Sequence, residues 1–520
     1  MSEPVAGTQD QQPWLRLDKR MLLVYPVTEL VKYIPVLVVT VILGTNNGNP
    51  LWGVIPLVLV VGFALARWFT TTYRVGPTHI ELRTGVLQRK KLSVPRARVR
   101  SVDIEADLLH RALGLSVLAI GTGQQTEDKD KFKLDALDAT LVPALRAELL
   151  AHTAGAPEPA DSTESRESLS DNTSDTSPPL HEIGHWQPSW VRYAPLSLTG
   201  FAIIGPLVGV AFQVGLGEKI FASDAVHNVG SGGVLAIALG IVALLVAIVV
   251  VVSLLACLRY LTTYFGLRVT ENGRTLQLRH GLFTTRQITL DLARFRGATL
   301  QQPLLLRLAD AAELRAIMTG ASPSQKILPQ APRAAVEHTL SHLLSPTTVG
   351  DNEKTLWAPD DAGPVRVPLI AHGPLARRRR YIRAMVPVEV VAVALLVITL
   401  VIDGVSPWWW LLPILLVPPS IALAEDRYRG LGHAVIPATA TTPTWLITRS
   451  GSLDRNRDCL EAPGIIGWTV HQTFFQRRLG LATVIAATAA GSKHYFVVDI
   501  PLDDAWQLIE SVTPGRLGVR

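Results

Sequence analysis

The sequence predicts a polytopic α-helical membrane protein built from three repeated units, each a transmembrane helical hairpin followed by a small β domain closed by a C-terminal helix. Three observations predict it. Of 520 residues, 48% are hydrophobic and only 18% charged, a balance weighted toward membrane. The apolar residues come in runs such as 234–258, which has no charged side chain and exceeds the roughly 20 residues that cross a bilayer. Between these runs a polar pattern recurs with fixed internal spacing, and such recurrence says more about architecture than any single motif.

The first unit opens after a polar tail, 1–20, that lacks the basic start and short apolar core of a signal peptide. Residues 21–69 form the first hairpin, two apolar runs separated by the uncharged turn signal 44–50. Glu29 and Lys32, three apart, are placed to pair on one helix face. The chain leaves the hairpin through Thr70, Thr71, Thr72 and Tyr73. Short apolar runs follow at 80–82, 86–87, 99–104, 117–120 and 132–134, broken by glycine, proline and charge, and these read as strands. Leucines and alanines at helical spacing over 139–150 close the domain, 70–150.

Residues 151–189 form an acidic linker whose segment 155–179 holds six acidic side chains against one arginine, so it lacks the apolar surface to build a core. The second unit repeats the first, with a hairpin at 190–259 and a domain at 260–345 closed by a helix near 333–344. A linker, 346–380, ends in Arg377–Arg380. The third hairpin, 381–424, and third domain, 425–514, follow, with a closing helix at 502–512 and a short tail, 515–520.

The spacing supports the repeat. Counting 29 positions from Gly85, Gly281 and Gly451 reaches Gly114, Asp310 and Gly480. Glycine there suits a left-handed turn, so Asp310 predicts that the second copy bends differently or is degenerate. The hairpins leading to Thr71-Thr72-Tyr73 and Thr262-Thr263-Tyr264, with Arg111-Ala112-Leu113-Gly114-Leu115 and Arg477-Arg478-Leu479-Gly480-Leu481, resemble bacterial pleckstrin-homology-like membrane proteins of the YdbS/YdbT type. The resemblance covers nearly the whole chain outside the linkers and tails. It implies PH-like domains, each a bent β-sandwich or split barrel closed by a C-terminal helix. Copy three departs from the pattern at its exit, where Arg427-Tyr428-Arg429 stands in place of Thr-Thr-Tyr. The resemblance supplies a fold and a location but no reaction.

Charge orients the chain. The candidate outer loops 44–50 and 403–407 carry no Lys or Arg and 217–233 only Lys219, whereas Arg67, Arg192, Arg259, Arg377–Arg380 and Arg427 gather at the opposite ends. Basic residues mark cytoplasmic flanks, which predicts both termini and all three domains inside a bacterial plasma membrane.

Few residues suggest chemistry. His181-Glu182-Ile183-Gly184-His185 fits the zinc-protease spacing, which needs a helix to put both histidines on one face. Here prolines flank the motif, Gly184 interrupts it and no third ligand accompanies it, so it reads as a juxtamembrane segment. Glu29 and Glu389 are ionisable groups near membrane depth, but each lies at a basic end where Lys32 or Arg383 is a partner. Trp408, Trp409 and Trp410 suit an interfacial aromatic belt. His471, His494 and Asp499 are scattered through β-like sequence without the arrangement of a triad. The two cysteines, Cys257 and Cys459, suggest neither a disulfide framework nor a metal site. Neither a cofactor motif nor a nucleic-acid-binding pattern is present.

The candidate contact residues are Arg89, Lys90, Lys91, Arg96, Arg98 and Arg100, a basic cluster beside the membrane. With Arg96, Arg98 and Arg100 alternating along a strand, they would present one positive face to anionic lipid headgroups. The expected function is a non-enzymatic interaction or assembly module that binds a protein or peptide partner, with lipid as a second ligand and homo-oligomers compatible. The alternative is a component of a transport or export system.

Overall fold

The computed structural model describes residues 13–46, 51–86, 88–96, 99, 101–121, 132–142, 144–145, 181–197, 233–320, 325–345, 364–402, 405–439 and 442–515. The chain forms two compact units, Met1–His181 with Phe265–Leu292, and Glu182–Tyr264 with Ala293–Arg520. Each unit joins strands from two successive repeats.

In the first unit, α1 (Met21–Asn46) and α2 (Leu51–Thr70) lie side by side. They are joined by Arg67, whose guanidinium meets Glu29 at 3.1 Å, while Lys32 meets Glu29 at 3.6 Å. Thr71 ends α2 by donating its hydroxyl to the Arg67 carbonyl at 2.7 Å. The first sheet has the order β1 (Leu15–Arg16), β2 (Thr72–Val75), β3 (His79–Thr84), β4 (Lys90–Pro95). The next strands are β5 (Ser101–Ala106), β6 (Leu115–Gly121) and β7 (Phe132–Asp138), with a one-turn helix, α3 (Leu108–Ala112), between β5 and β6. Alternation turns Ile80, Leu82, Val102, Leu118, Ile120 and Leu134 inward to a common core. Val86, expected in a strand, instead lies in the turn after β3, because Gly85 reverses the chain at φ +124°. Half of the closing helix expected at 139–150, residues 143 and 146–150, falls outside the described residues.

A short strand, β8 (His181–His185), precedes the second repeat's helix α4 (Gly233–Tyr264) and its strands β9 (Arg268–Glu271), β10 (Thr275–His280) and β11 (Thr285–Asp291). Within the first unit the strands run β7-β6-β5-β11-β10-β9, so the second repeat's β11 completes the edge of the first repeat's β5. The pairing is antiparallel and sets Glu105 opposite Arg286.

The second unit continues with β12 (Phe295–Pro303), the one-turn α5 (Leu304–Leu308), β13 (Ala311–Met318), β14 (Lys326–Pro332) and α6 (Arg333–Leu344). Then come two long helices, α7 (Gly373–Val401) and α8 (Leu411–Arg429), which pack together. The third repeat supplies β15 (Gly432–Ile436), β16 (Trp445–Ser450), β17 (Asp454–Glu461), β18 (Ile465–His471), the one-turn α9 (Phe474–Arg478), β19 (Leu481–Thr488), β20 (His494–Pro501) and α10 (Leu502–Val512). One sheet has the order β14-β13-β12-β17-β16-β15, again crossing a repeat boundary, and β18-β19-β20 form the last. The second and third closing helices fall where the spacing predicts them, with Ala505, Leu508, Ile509 and Val512 buried along one face of α10.

Among the described residues, three helical stretches are long and apolar enough to cross a membrane: Val246–Tyr264, Gly373–Val401 and Pro407–Arg429. Their side chains are mostly outward-facing and apolar, as at Val249, Leu254, Val390 and Val393. Residues 198–232 lie outside the described part, so the first half of the second expected hairpin is not described.

The turn glycines have a shared physical basis. A Cβ at Gly85, Gly281 or Gly451 would lie 1.9–2.0 Å from the carbonyl oxygen of Gln88, Thr284 or Asp454. The second set corrects the expectation for copy two. Asp310 adopts φ +49°, close to Gly114 at +67° and Gly480 at +65°, and its N–H donates to Arg307 as those of Gly114 and Gly480 donate to Arg111 and Arg477. The second copy therefore bends the same way, since a short polar side chain such as Asp tolerates the left-handed region.

Candidate functional site

In every repeat the last strand of the domain is fastened to the base of an apolar helix. The chemistry differs each time. In the first, Asp135 on β7 accepts from the Tyr25 hydroxyl of α1 at 3.2 Å and lies 3.9 Å from Arg67 of α2. Burial pushes the Asp135 carboxyl up, and Arg67 opposes that shift. In the second, the Tyr260 hydroxyl of α4 donates to the Gln330 carbonyl on β14 at 2.8 Å.

The third base is ionic. Asp499 on β20 is fully buried at φ +61° and takes a hydrogen bond from Arg379, which sits on the second turn of α7. Arg380 approaches its other oxygen at 2.7 Å, and Gln476 donates at 2.8 Å. Gln476 is itself fixed by a capping box with Thr473 at the start of α9. A buried carboxylate ringed by two guanidinium groups costs desolvation, and Coulomb attraction with several hydrogen bonds offsets it. Further round α7, Glu425 of α8 is clasped by Tyr381 at 2.8 Å, Arg429 at 2.9 Å and Arg377 at 3.1 Å.

Next to this cluster, His372 and His433 share a hydrogen bond of 3.0 Å. His372 Nδ1 also lies 2.8 Å from the Val498 carbonyl, which accepts only, so Nδ1 carries the proton and Nε2 accepts from His433. Because a neutral His372 that donates through Nδ1 can only accept through Nε2, neutral rings suit this arrangement. Burial depresses both, His433 to about 4 with the neighbouring His372 adding to the effect.

The basic cluster singled out in the sequence divides. Arg89, Lys90 and Lys91 are exposed at the start of β4. Lys91 meets Glu81 at 2.7 Å, and that hydrogen bond, with Arg74 on the other oxygen, holds the Glu81 carboxyl below its usual range. Arg96 is a correction: Pro95 cannot extend the ladder, the strand ends there, and Arg96 is buried in the turn beyond rather than set on a strand face. Arg98 and Arg100 lie outside the described residues. A second basic feature, a groove of about 430 Å³ along the joint of β5 and β11, is lined by Arg111, Arg279 and Arg286.

The His181 to His185 segment is a strand, not a helix, with both histidines and Glu182 exposed and Ile183 buried. Its role in the fold is packing: Thr339 of α6 donates to the Ile183 carbonyl at 3.1 Å. Glu29 is paired as expected, and Glu389 is exposed on α7. Trp408 and Trp409 are exposed at the start of the helical stretch ending in α8, and His471 and His494 are exposed on their strands. Among the described residues no group of three or more His, Cys, Asp or Glu side chains is placed to hold a metal. In the sequence Asp499 stands only as a scattered carboxylate. Its partners are 120 positions away at Arg379 and 23 away at Gln476, and no local pattern links them.

The bacterial PH domain family matches the chain three times, over residues 26–153, 221–345 and 381–515. The chain belongs to the bacterial PH domain family. No curated protein and no solved structure matches it. In this bacterial PH domain protein the matched unit includes apolar helix as well as β domain, and the three fastenings described above hold those two parts together.

Two outcomes follow, one from the third fastening and one from the histidine pair beside it. Asp499→Asn keeps the shape and tolerates positive φ but leaves the buried Arg379 and the partly buried Arg380 without a counter-charge, which costs about 3–5 kcal/mol. Thermal unfolding of the purified full chain should show a lower midpoint, and an unchanged midpoint would contradict the role given to Asp499. The histidine pair gives the second outcome. The unfolded chain takes up protons at these histidines below about pH 6.5 and the folded chain does not, so stability present above 6.5 is lost as the pH falls toward 4. The loss attributable to His433 is on the order of 3 kcal/mol. His433→Asn should flatten the fall in melting temperature between pH 7 and 5.

Proposed function

We propose that this bacterial PH domain protein is a non-enzymatic interaction and assembly module anchored in the bacterial plasma membrane by several passes, with its three domains on the cytoplasmic side. The observation that carries the reading is the joining of successive repeats by β-strand pairing, β5 to β11 and β12 to β17. Strand addition at a sheet edge is a general mode of protein and peptide recognition, because backbone groups supply the bonds whatever the side chains. Domains fastened at the bases of apolar helices suit presentation of such edges at a fixed height above a membrane. The basic residues at those bases, Arg377 to Arg380 and Arg427, support the cytoplasmic side.

Anionic lipid headgroups are the second ligand proposed. Arg89, Lys90 and Lys91 are the exposed part of the basic cluster, and each basic side chain near an anionic surface contributes about 1 kcal/mol. Arg98 and Arg100 remain candidates from their sequence positions.

The test uses the full chain in native membranes with a photo-crosslinking residue at Arg89. Discrete protein adducts are expected. In nanodiscs with photoactivatable phosphatidylglycerol, R89E/K90E should lower lipid labelling at least about fivefold. A chain that forms no protein adduct contradicts the interaction reading, and unchanged lipid labelling contradicts the lipid contact.

A further inference from the structure

The two internal joints have one register. Counting from the turn glycines, the residue 20 after the glycine of one repeat faces the residue 5 after the glycine of the next. Glu105 (Gly85 plus 20) faces Arg286 (Gly281 plus 5), and Gln301 (Gly281 plus 20) faces Asn456 (Gly451 plus 5). Each joint has a second contact at matched positions. Arg111 of α3 donates to the Leu282 carbonyl at 3.3 Å, and Arg307 of α5 donates to the Ser452 carbonyl at 3.3 Å. These are again equivalent, 26 after one glycine and 1 after the next.

The same surfaces recur at the two ends of the series. Among the described residues no strand pairs with the outer edge of β4 over 91–94, the counterpart of β11 and β17. None pairs with the outer edge of β18 over 467–470, the counterpart of β5 and β12. Arg477 stands 26 after Gly451 and is exposed on α9, while Val86, 1 after Gly85, is exposed at the turn beside β4. In the second joint a glycine marks the contact, whereas the first joint has Ser101 at that position and pairs only over Ile104–Ala106. Gly297 on β12 lies so close to β17 that a Cβ there would be 1.9 Å from the Cys459 carbonyl oxygen. Gly467 occupies the same position on β18, and a Cβ there meets nothing within 4 Å.

We infer that β18 of one chain pairs with β4 of a second copy of the same chain, head to tail and in the register of the internal joints. Gly467 then faces Val94, with the Ser93 carbonyl in the place of that of Cys459; His471 faces Lys90; and Arg477 reaches the Val86 carbonyl. The occupant is a second copy because the chain carries both halves of a joint that it already makes twice internally. Lysine and proline on an edge often discourage pairing, and β4 carries Lys90, Lys91 and Pro95. Basic residues at the matching positions do not prevent it inside the chain, where Arg286 and Arg457 lie within paired strands. Pro95 falls beyond the last paired position, since its counterpart Glu461 lies just past Leu460, the partner of Gly297. The inference rests on the assembly reading above and names its partner.

The experiment is disulfide trapping of the full chain in native membranes, with Cys257 and Cys459 replaced by alanine. Chains carrying H471C with one tag and K90C with another are co-expressed. A mixed-tag disulfide dimer is expected only when both are present. It should fall at least about tenfold when S93C, out of register, replaces K90C, because cysteines whose Cα atoms are over about 7 Å apart do not bridge. Gly467→Val should abolish the dimer and leave the melting temperature of the detergent-purified chain unchanged, since its Cβ clashes with nothing in its own chain. The inference is overturned by absence of the mixed dimer or by persistence of the dimer in G467V. Adducts from Arg89 to other proteins without this dimer would overturn the second-copy partner and leave the interaction reading standing. Absence of both would remove both.

Discussion

A sheet edge carries unpaired N–H and C=O groups, and something must pair or cover them. In this protein the requirement is met across repeat boundaries: β5 takes β11, and β12 takes β17. That choice decides much else. It sends the second repeat's first three strands to one compact unit and its next three to the other. It also demands a glycine at 297, where two backbones come too close for a side chain. Side-chain contacts support the second joint where they are available, as in Arg296 with Glu461 at 2.6 Å and Thr299 with Asp458 at 2.6 Å. Burial raises the Asp458 carboxyl to about 6, opposed by the Thr299 hydrogen bond.

The fastening of domain to helix is a second constraint, solved three ways. A tyrosine and a carboxylate serve the first repeat, a tyrosine and a backbone carbonyl the second, and a buried carboxylate between two arginines the third. Position is kept while chemistry varies, which is the behaviour expected of a mechanical junction more than of a reactive site. The third junction is reinforced from the other helix as well, since Asp426 near the end of α8 takes hydrogen bonds from Arg307, Arg455 and Ser452. That set ties an apolar helix to both repeats that meet at the β12–β17 joint.

Much of the local structure was legible in the sequence because local physics fixes it. Gly85, Gly281 and Gly451 announce three equivalent turns, and the helical spacing of Ala505, Leu508, Ile509 and Val512 announces a closing helix. The bend at Asp310 was misread because a left-handed residue was equated with glycine, although aspartate also enters that region. Arg96 was misplaced because an alternating charge pattern was extended through Pro95, where the strand stops. The joints between repeats had no readable signal. Backbone pairing places little demand on side chains, and only Gly297 and its counterpart Gly467 hint at close approach. The Asp499 cluster was equally hidden, because its members meet only after the third domain folds back onto α7.

The account stands on the claim that strand pairing across the β12–β17 boundary holds the second and third repeats as one cooperative unit. Amide hydrogen exchange of the full chain in nanodiscs, compared with Gly297→Val, addresses it directly. The account predicts that the substitution raises exchange together in β12 and in β17, while β2 and β3 keep their protection. Loss of protection confined to β12, with β17 as protected as before, would contradict it.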